Sequence, residues 1–170
     1  FPGLDGPFNA SPAMEATEEE RRAEYESRWR EGGLTFMGAY GDLMFSQAAN
    51  DSLANFVRDK IRDIVDDPKV AEKLCPKNII GGKRLCVDTH YYQTYNRPNV
   101  SLVDVNEDPI IKLGTDSLST ANNHFAIDVL VIATGFDAMT GALTNVDIRG
   151  REGVLLSDLW RDGPSSYLGL

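Results

Sequence analysis

Two glycines followed by two cations, Gly81-Gly82-Lys83-Arg84, are the first residues in this chain whose types and spacing could do chemistry. Glycine lets the backbone turn tightly, and the adjacent cations stand in a chain whose formal net charge is −9. Lysine offers a compact point charge for a phosphate, whereas arginine offers a planar fork that stays protonated in nearly any site. By itself this pattern is more typical of a surface turn before a strand, so the surrounding motifs decide its meaning.

A second candidate site follows an apolar run at residues 127–132, which read IDVLVI. Such a run without alternation is typical of a strand buried on both faces of a parallel sheet. It passes into Ala133-Thr134-Gly135, whose small side chains allow backbone to approach a ligand closely. Ligands bind at the carboxyl ends of strands in open α/β sheets. The pattern therefore predicts a dinucleotide-type α/β sheet with residues 133–137 as its ligand-facing turn.

Helices are predicted before these sites. Thr17 and Glu20 fit a capping box, and the glycines at 32–33 are expected to end the helix that starts there. A second helix is predicted from about Ser46, and Asp67-Pro68 predicts the start of a short third one. The second helix has an apolar stripe at steps of three and four residues, formed by Leu53, Phe56, Val57, Ile61, Ile64 and Val65.

Short strands are predicted from residue 79 onward, where the helical periodicity stops. The candidates are residues 85–87, 100–105, 110–113 and 127–133, with weaker signals at 146–148 and 154–156. The polar residues 116–123 are predicted to be a loop or the tip of a hairpin.

Composition limits the functional classes. The 26 acidic residues outnumber the 17 Lys and Arg, which argues against nucleic acid and anionic membrane surfaces as partners. No stretch approaches the roughly 18 apolar residues of a membrane helix. Two cysteines, at 75 and 86, make no disulfide framework, and His90 and His124 have no partners at metal-ligand spacing. We therefore expect a soluble cytoplasmic protein without a metal site, and its ends read as cuts through a larger polypeptide.

Five motifs occur together in this chain: GGKR at 81–84, YYQTYNRPNV at 91–100, IDVLVIATGFDAMTG at 127–141, VDIRG at 146–150, and a Trp with GPSSYLG at 160–169. In order and spacing they resemble the Baeyer–Villiger monooxygenases, flavoproteins that use FAD and NADPH to insert oxygen beside a ketone. The resemblance extends from about residue 17 to residue 170. ATGFD alone is shared with related flavin monooxygenases, whereas the combination is much more specific.

The resemblance implies an α/β fold that is part of a flavoprotein with two dinucleotide-binding (Rossmann-like) domains, a helical insertion and an incomplete sheet. Residues 1–78 would be the helical insertion of the NADP domain. Residues 79–132 would be the returning strands of the NADP-binding domain. Residues 133–170 would be the crossover and part of the FAD-binding domain.

The resemblance also implies roles for single residues. Arg84 would be catalytic, since it supplies positive charge to an anionic nucleophile without supplying a proton, and it would help to hold the nicotinamide. Lys83 would contact the 2′-phosphate of NADPH. Thr134 and Gly135 would let the crossing backbone approach the cofactors. Phe36 would either line the substrate pocket or fill the core.

The chain also departs from the family. It contains no G-x-G-x-x-G, the fingerprint that seats a dinucleotide pyrophosphate on a helix N-terminus. We therefore expect the isolated chain to be inactive and to need the rest of its parent polypeptide, which would act on a small ketone and O2. Two alternatives remain open: a related flavin monooxygenase that oxidises nitrogen or sulfur, and a non-catalytic α/β binding module.

Overall fold

The computed structural model describes residues 8–33, 35–83, 86, 88–135, 137 and 139–166. Their contacts divide the chain into two compact units. The first contains the described residues up to Ile111 together with Thr120–Asn123, and the second contains Lys112–Ser119 and the described residues from His124 onward. Within these ranges, no helix is long and apolar enough to span a bilayer.

The first helix, α1 (Glu18–Glu31), begins and ends where the sequence predicts. The Glu20 amide donates to the Thr17 hydroxyl at 3.3 Å, and the Thr17 amide donates to the Glu20 carboxylate at 2.8 Å. This capping box satisfies backbone donors that the first turn leaves without helical partners. The hydrogen bond from the Thr17 amide also lowers the pKa of Glu20. Gly32, with φ of +77°, ends the helix.

The next two helices also start at their predicted caps. In α2 (Gln47–Ile64), the Ser46 hydroxyl accepts a hydrogen bond from the Ala49 amide at 3.3 Å. In α3 (Pro68–Leu74), the Asp67 carboxylate accepts one from the Lys69 amide at 2.8 Å. Proline suits the first helical position because its missing N–H would have no partner there.

The core of the first unit is an aromatic cluster between α1, the 3₁₀ turn Thr35–Gly38 and the apolar face of α2. The Tyr25 and Phe56 rings lie 5.6 Å apart, and the Phe36 and Phe56 rings lie 6.0 Å apart. Tilted and edge-on rings at such distances pack favourably beyond the apolar area they bury. Leu43 and Leu53, both almost fully buried, belong to the same core. The aromatic cluster consists of Tyr25, Trp29, Phe36, Tyr40 and Phe56.

A second apolar cluster joins α3 to the end of α2. Ile61, Val65, Ala71 and Cys75 are its buried residues. A short helix, α4 (Tyr91–Thr94), lies against this cluster through tyrosine side chains discussed below. The predicted apolar stripe of α2 is thus divided between two cores of the same unit.

The sheet has three strands, β1 (Ile110–Leu113), β2 (Ser117–Thr120) and β3 (His124–Ala126), in that order. β2 and β3 are antiparallel, with Leu118 opposite Phe125. The predicted strand at residues 110–113 is therefore confirmed. Within the polar stretch at 116–123, Ser117–Thr120 form strand β2 rather than the predicted loop or hairpin tip, and only the turn at 121–123 joins β2 to β3. The antiparallel pairing of β2 and β3 contradicts the expectation of a parallel sheet for these two strands.

Residues 127–133 do not form the buried strand that their pattern predicts. These residues belong to no strand. Val129, Val131 and Ile132 are 77, 79 and 75% exposed, respectively. A strand depends on hydrogen bonds to a neighbouring strand, and none of β1, β2 and β3 pairs with these residues. The apolar composition of this run favours burial, but within the described part of the chain these residues are exposed.

The other strand predictions have mixed outcomes. Residues 100–105 form no strand. Residues 146–148 form no strand, and the next residue, Arg149, makes an isolated antiparallel bridge with Leu155, after which the short helix α6 (Leu156–Leu159) begins. That helix and α5 (Gly141–Thr144) belong to the second unit. The predicted strand at 85–87 lies outside the described residues, apart from Cys86.

Candidate functional site

A tight turn at residues 79–82 presents Lys83 to solvent. The Gly82 amide donates a hydrogen bond to the Ile79 carbonyl at 3.1 Å, which closes the turn. Gly81, the third residue of the turn, has a φ of +85°, a conformation that favours glycine. The Lys83 side chain is exposed immediately after it. We call residues 79–83 the lysine turn.

The side chain of Asn50, on α2, hydrogen-bonds to both backbone groups of Ile80 in the lysine turn. Its Nδ2 donates to the Ile80 carbonyl at 2.9 Å, and its Oδ1 accepts from the Ile80 amide at 3.1 Å. Nδ2 also donates to the Leu43 carbonyl at 2.9 Å. Asn50 is only 3% exposed, so these hydrogen bonds lie in surroundings where an unpaired polar group is costly.

Apolar packing reinforces this attachment. The Ile80 side chain is buried in the same core as Leu53 and the aromatic cluster. Met44 covers Gly81 so closely that a Cβ there would overlap the Met44 Sδ and lie 2.9 Å from its Cε. The φ of Gly81 is the reason for glycine here, since the contact with Met44 involves only the end of a flexible side chain that is 53% exposed. The result is a turn whose inner side is fixed and whose outer residue is a cation.

The chain after Arg84 is attached to the other end of α2. Asn96 donates to the Ile64 carbonyl at 2.7 Å and accepts from the Asp66 amide at 2.9 Å. Arg84 itself lies outside the described residues, so its predicted position is not tested here. It lies in sequence between one attachment near the start of α2 and another at its end.

Tyrosines of the YYQTYNRPNV motif pack beside this second attachment. Tyr92 and Tyr95 contact the second apolar cluster, and the Tyr95 hydroxyl donates to the Tyr91 hydroxyl at 2.9 Å. Burial, together with this hydrogen bond, raises the pKa of Tyr95 to about 12. Because Tyr92 and Tyr95 contact the apolar cluster, we assign these two side chains to packing.

The second predicted contact region, Thr134 and Gly135, lies in the second unit. Both residues are exposed. Gly135 has a φ of +87°, and a Cβ built on it would meet nothing within 4 Å. Such a φ favours glycine, and a close approach of this backbone to the cofactors stays a prediction.

Comparison with known proteins gives this geometry a context. No family model matches the chain. A Baeyer–Villiger monooxygenase of Pseudooceanicola batsensis is 45% identical over 95% of the chain, and a cyclohexanone 1,2-monooxygenase of Acinetobacter is 41% identical over 94%. The solved structure of OTEMO in complex with FAD and NADP is 44% identical over the whole chain, with a TM-score of 0.89. Nearly the whole chain is thus similar to one segment of Baeyer–Villiger monooxygenases.

The chain spans about a third of the length of these proteins, with 30% of each of the two curated enzymes and 31% of the OTEMO chain covered. A third relative, a phenazine N-monooxygenase of Lysobacter antibioticus, is 44% identical over 93% of the chain and is covered over 30% of its own length. The similarity therefore includes an enzyme named for oxidation at nitrogen.

The predicted site residues of this chain have different surroundings. Lys83 lies exposed on the lysine turn, and Thr134 and Gly135 lie exposed in the second unit. Phe36 is buried in the aromatic cluster at 7% exposure, which corresponds to the core-filling alternative. Its role in a substrate pocket stays a prediction.

The residue that sequence reasoning missed is Asn50. It lies among the buried residues of α2, beside Ala49 and one turn before Leu53. An asparagine inside a helix and on its apolar face is unfavourable for both helix propensity and burial. That conflict was a usable signal, because a buried amide in such a place must have partners elsewhere in the fold.

Proposed function

We propose that this chain works as part of a longer flavoprotein, called the full-length flavoprotein below, which uses NADPH and O2 to convert ketones to esters or lactones. The observation that carries the proposal is the similarity of nearly the whole chain to enzymes named for ketone oxidation. The lysine turn supports it, since an exposed cation held rigidly in an acidic chain suits an anionic cofactor. The chain alone would be inactive.

We further propose the domain assignment that the resemblance implies. Residues 1–78 would be the helical insertion of an NADP-binding domain, 79–132 its returning strands, and 133–170 the crossover and part of an FAD-binding domain. The exposed apolar residues 129–132 support this assignment, because a strand that is completed by neighbouring strands would bury them.

The described residues fit the two cofactors as contacts rather than as complete sites. Lys83 fits a phosphate because it is exposed and its turn is fixed by Asn50. Thr134 and Gly135 fit a close approach because the space around Gly135 is open. The pyrophosphate fingerprints are absent from the chain, so other parts of the full-length flavoprotein would seat both cofactors.

When bound, NADPH and FAD supply the reducing electrons and activate oxygen. The residues of this chain would position the nucleotide and stabilise negative charge. Lys83 would bind the 2′-phosphate that distinguishes NADPH from NADH. Arg84 would stabilise the anionic nucleophile that attacks the ketone carbonyl, since a guanidinium supplies charge and retains its proton.

Replacing Lys83 with alanine in the full-length flavoprotein is expected to lower the preference for NADPH over NADH about 10- to 100-fold. That range corresponds to loss of one charge-assisted hydrogen bond. The measurement is kcat/KM for each nucleotide, with Lys77→Ala as the control because Lys77 is also exposed and lies shortly before the turn. Unchanged preference in the Lys83 variant would remove the 2′-phosphate role.

A second candidate function is oxidation at nitrogen or sulfur, and the phenazine N-monooxygenase among the relatives favours it. A panel of ketones, sulfides and amines offered to the full-length flavoprotein distinguishes the two. Ester or lactone formation as the fastest reaction supports the proposal; N-oxide or sulfoxide formation without any ester would replace it. A preparation without a flavin absorbance spectrum would instead favour a non-catalytic binding module.

A further inference from the structure

We infer that Asn50 is a positioning residue, which fixes the lysine turn so that Lys83 meets the 2′-phosphate of the nucleotide. This inference rests on the proposed function. Asn50 lies in the first turns of α2 and is 30 residues away from Ile80 in sequence. It would act on cofactor selection without touching the cofactor.

The hydrogen bonds of Asn50 are unusually complete for a buried side chain. Its amide oxygen accepts from the Ile80 amide, and its amide nitrogen donates to the Ile80 and Leu43 carbonyls. Both backbone groups of Ile80 are therefore bound by one side chain. Packing alone would be served equally well by an apolar residue, as at the neighbouring buried positions Ala49 and Leu53. The hydrogen bonds to Ile80 therefore explain why this position carries an amide side chain.

What it holds is the residue before two consecutive glycines. Gly81 and Gly82 would otherwise leave the backbone free to sample many conformations. With Ile80 fixed and the Gly82 amide bonded to the Ile79 carbonyl at 3.1 Å, the path to Lys83 is defined. A cation fixed in advance binds a phosphate better than one that must be ordered on binding.

The test compares Asn50→Ala and Leu53→Ala in the full-length flavoprotein. Both remove a buried side chain from the same face of α2, but only Asn50→Ala removes hydrogen bonds to the backbone of Ile80. The readout is the ratio of kcat/KM for NADPH to that for NADH, because a ratio does not depend on the fraction of enzyme that is folded. We expect Asn50→Ala to lower this ratio about tenfold or more and Leu53→Ala to leave it unchanged.

Asn50→Leu is the second variant, in case the cavity left by alanine prevents folding. It nearly keeps the volume of the side chain, but it loses the acceptor for the Ile80 amide and the donors to the Ile80 and Leu43 carbonyls, so a lowered ratio is again expected. An unchanged ratio in every Asn50 variant that folds, or an equal fall in Leu53→Ala, would overturn the inference. A wild-type enzyme without preference for NADPH would instead contradict the proposed function, so the two failures are distinguishable.

Discussion

Replacing Arg84 with alanine is expected to lower ester formation by the full-length flavoprotein about 10²- to 10³-fold while NADPH still reduces the flavin. The magnitude is that of removing one fixed group that stabilises developing negative charge. Flavin reduction is expected to continue in this variant because Arg84 would act later, on the anionic nucleophile, after NADPH has delivered its electrons. The two stages are measured by flavin absorbance under anaerobic conditions and by chromatography of the ester.

Two further variants make the Arg84 test specific. Arg84→Lys keeps a positive charge but loses the planar fork, so we expect partial activity. Arg22→Ala removes an exposed arginine of α1 and is expected to leave ester formation unchanged. Normal ester formation by the Arg84→Ala enzyme would show that the catalytic assignment is wrong.

Replacing Gly81 with alanine is expected to destabilise the protein by about 1–3 kcal/mol. The cause is the positive φ of Gly81, +85°, a conformation that costs a non-glycine residue that amount. The new Cβ would also overlap the Met44 side chain, but only at the end of a flexible side chain that is 53% exposed, so Met44 can move aside at little cost. Denaturant unfolding followed by circular dichroism measures the loss of stability.

A second glycine and a double variant test this explanation. Gly153 also has a positive φ, +78°, and nothing lies within 4 Å of a Cβ built on it, so Gly153→Ala is expected to cost a similar amount. Combining Gly81→Ala with Met44→Ala should recover little stability relative to the sum of the single changes. A loss for Gly81→Ala well above that for Gly153→Ala, with recovery in the double variant, would show instead that Met44 confines the lysine turn.

The helical part of the fold was predictable because its signals are local. The capping box of Thr17 and Glu20, the cap at Ser46 and the proline at 68 each act on a neighbouring turn of backbone. The stripe on α2 identified its buried face, although it did not reveal that this face serves two clusters.

The strands were harder to predict, since their pairing depends on residues distant in sequence. Residues 110–113 formed a strand as predicted, whereas the more strongly apolar residues 127–133 did not. A single antiparallel hairpin needs only a turn at 121–123, but a strand buried on both faces needs neighbours on each side. Apolar composition predicts that a segment is buried, but it does not identify the strands that would pair with it.

The candidate site was found from sequence only in part. Gly81, Gly82 and Lys83 stood out by residue type, and the resemblance supplied their roles. Asn50 did not stand out, because its function depends on contacts made across 30 residues. The structure thus adds Asn50 as the residue that holds the lysine turn, while the role of Arg84 stays a prediction.

The central claim is that this segment serves an enzyme that places an oxygen atom from O2 beside a ketone carbonyl. Its most direct test is to give the full-length flavoprotein NADPH, a cyclic ketone and heavy-isotope oxygen gas, and to measure the mass of the product. We predict a lactone with one heavy oxygen atom, formed in proportion to the NADPH consumed. NADPH consumption without lactone from any ketone tried, or a lactone without the heavy atom, would contradict the claim.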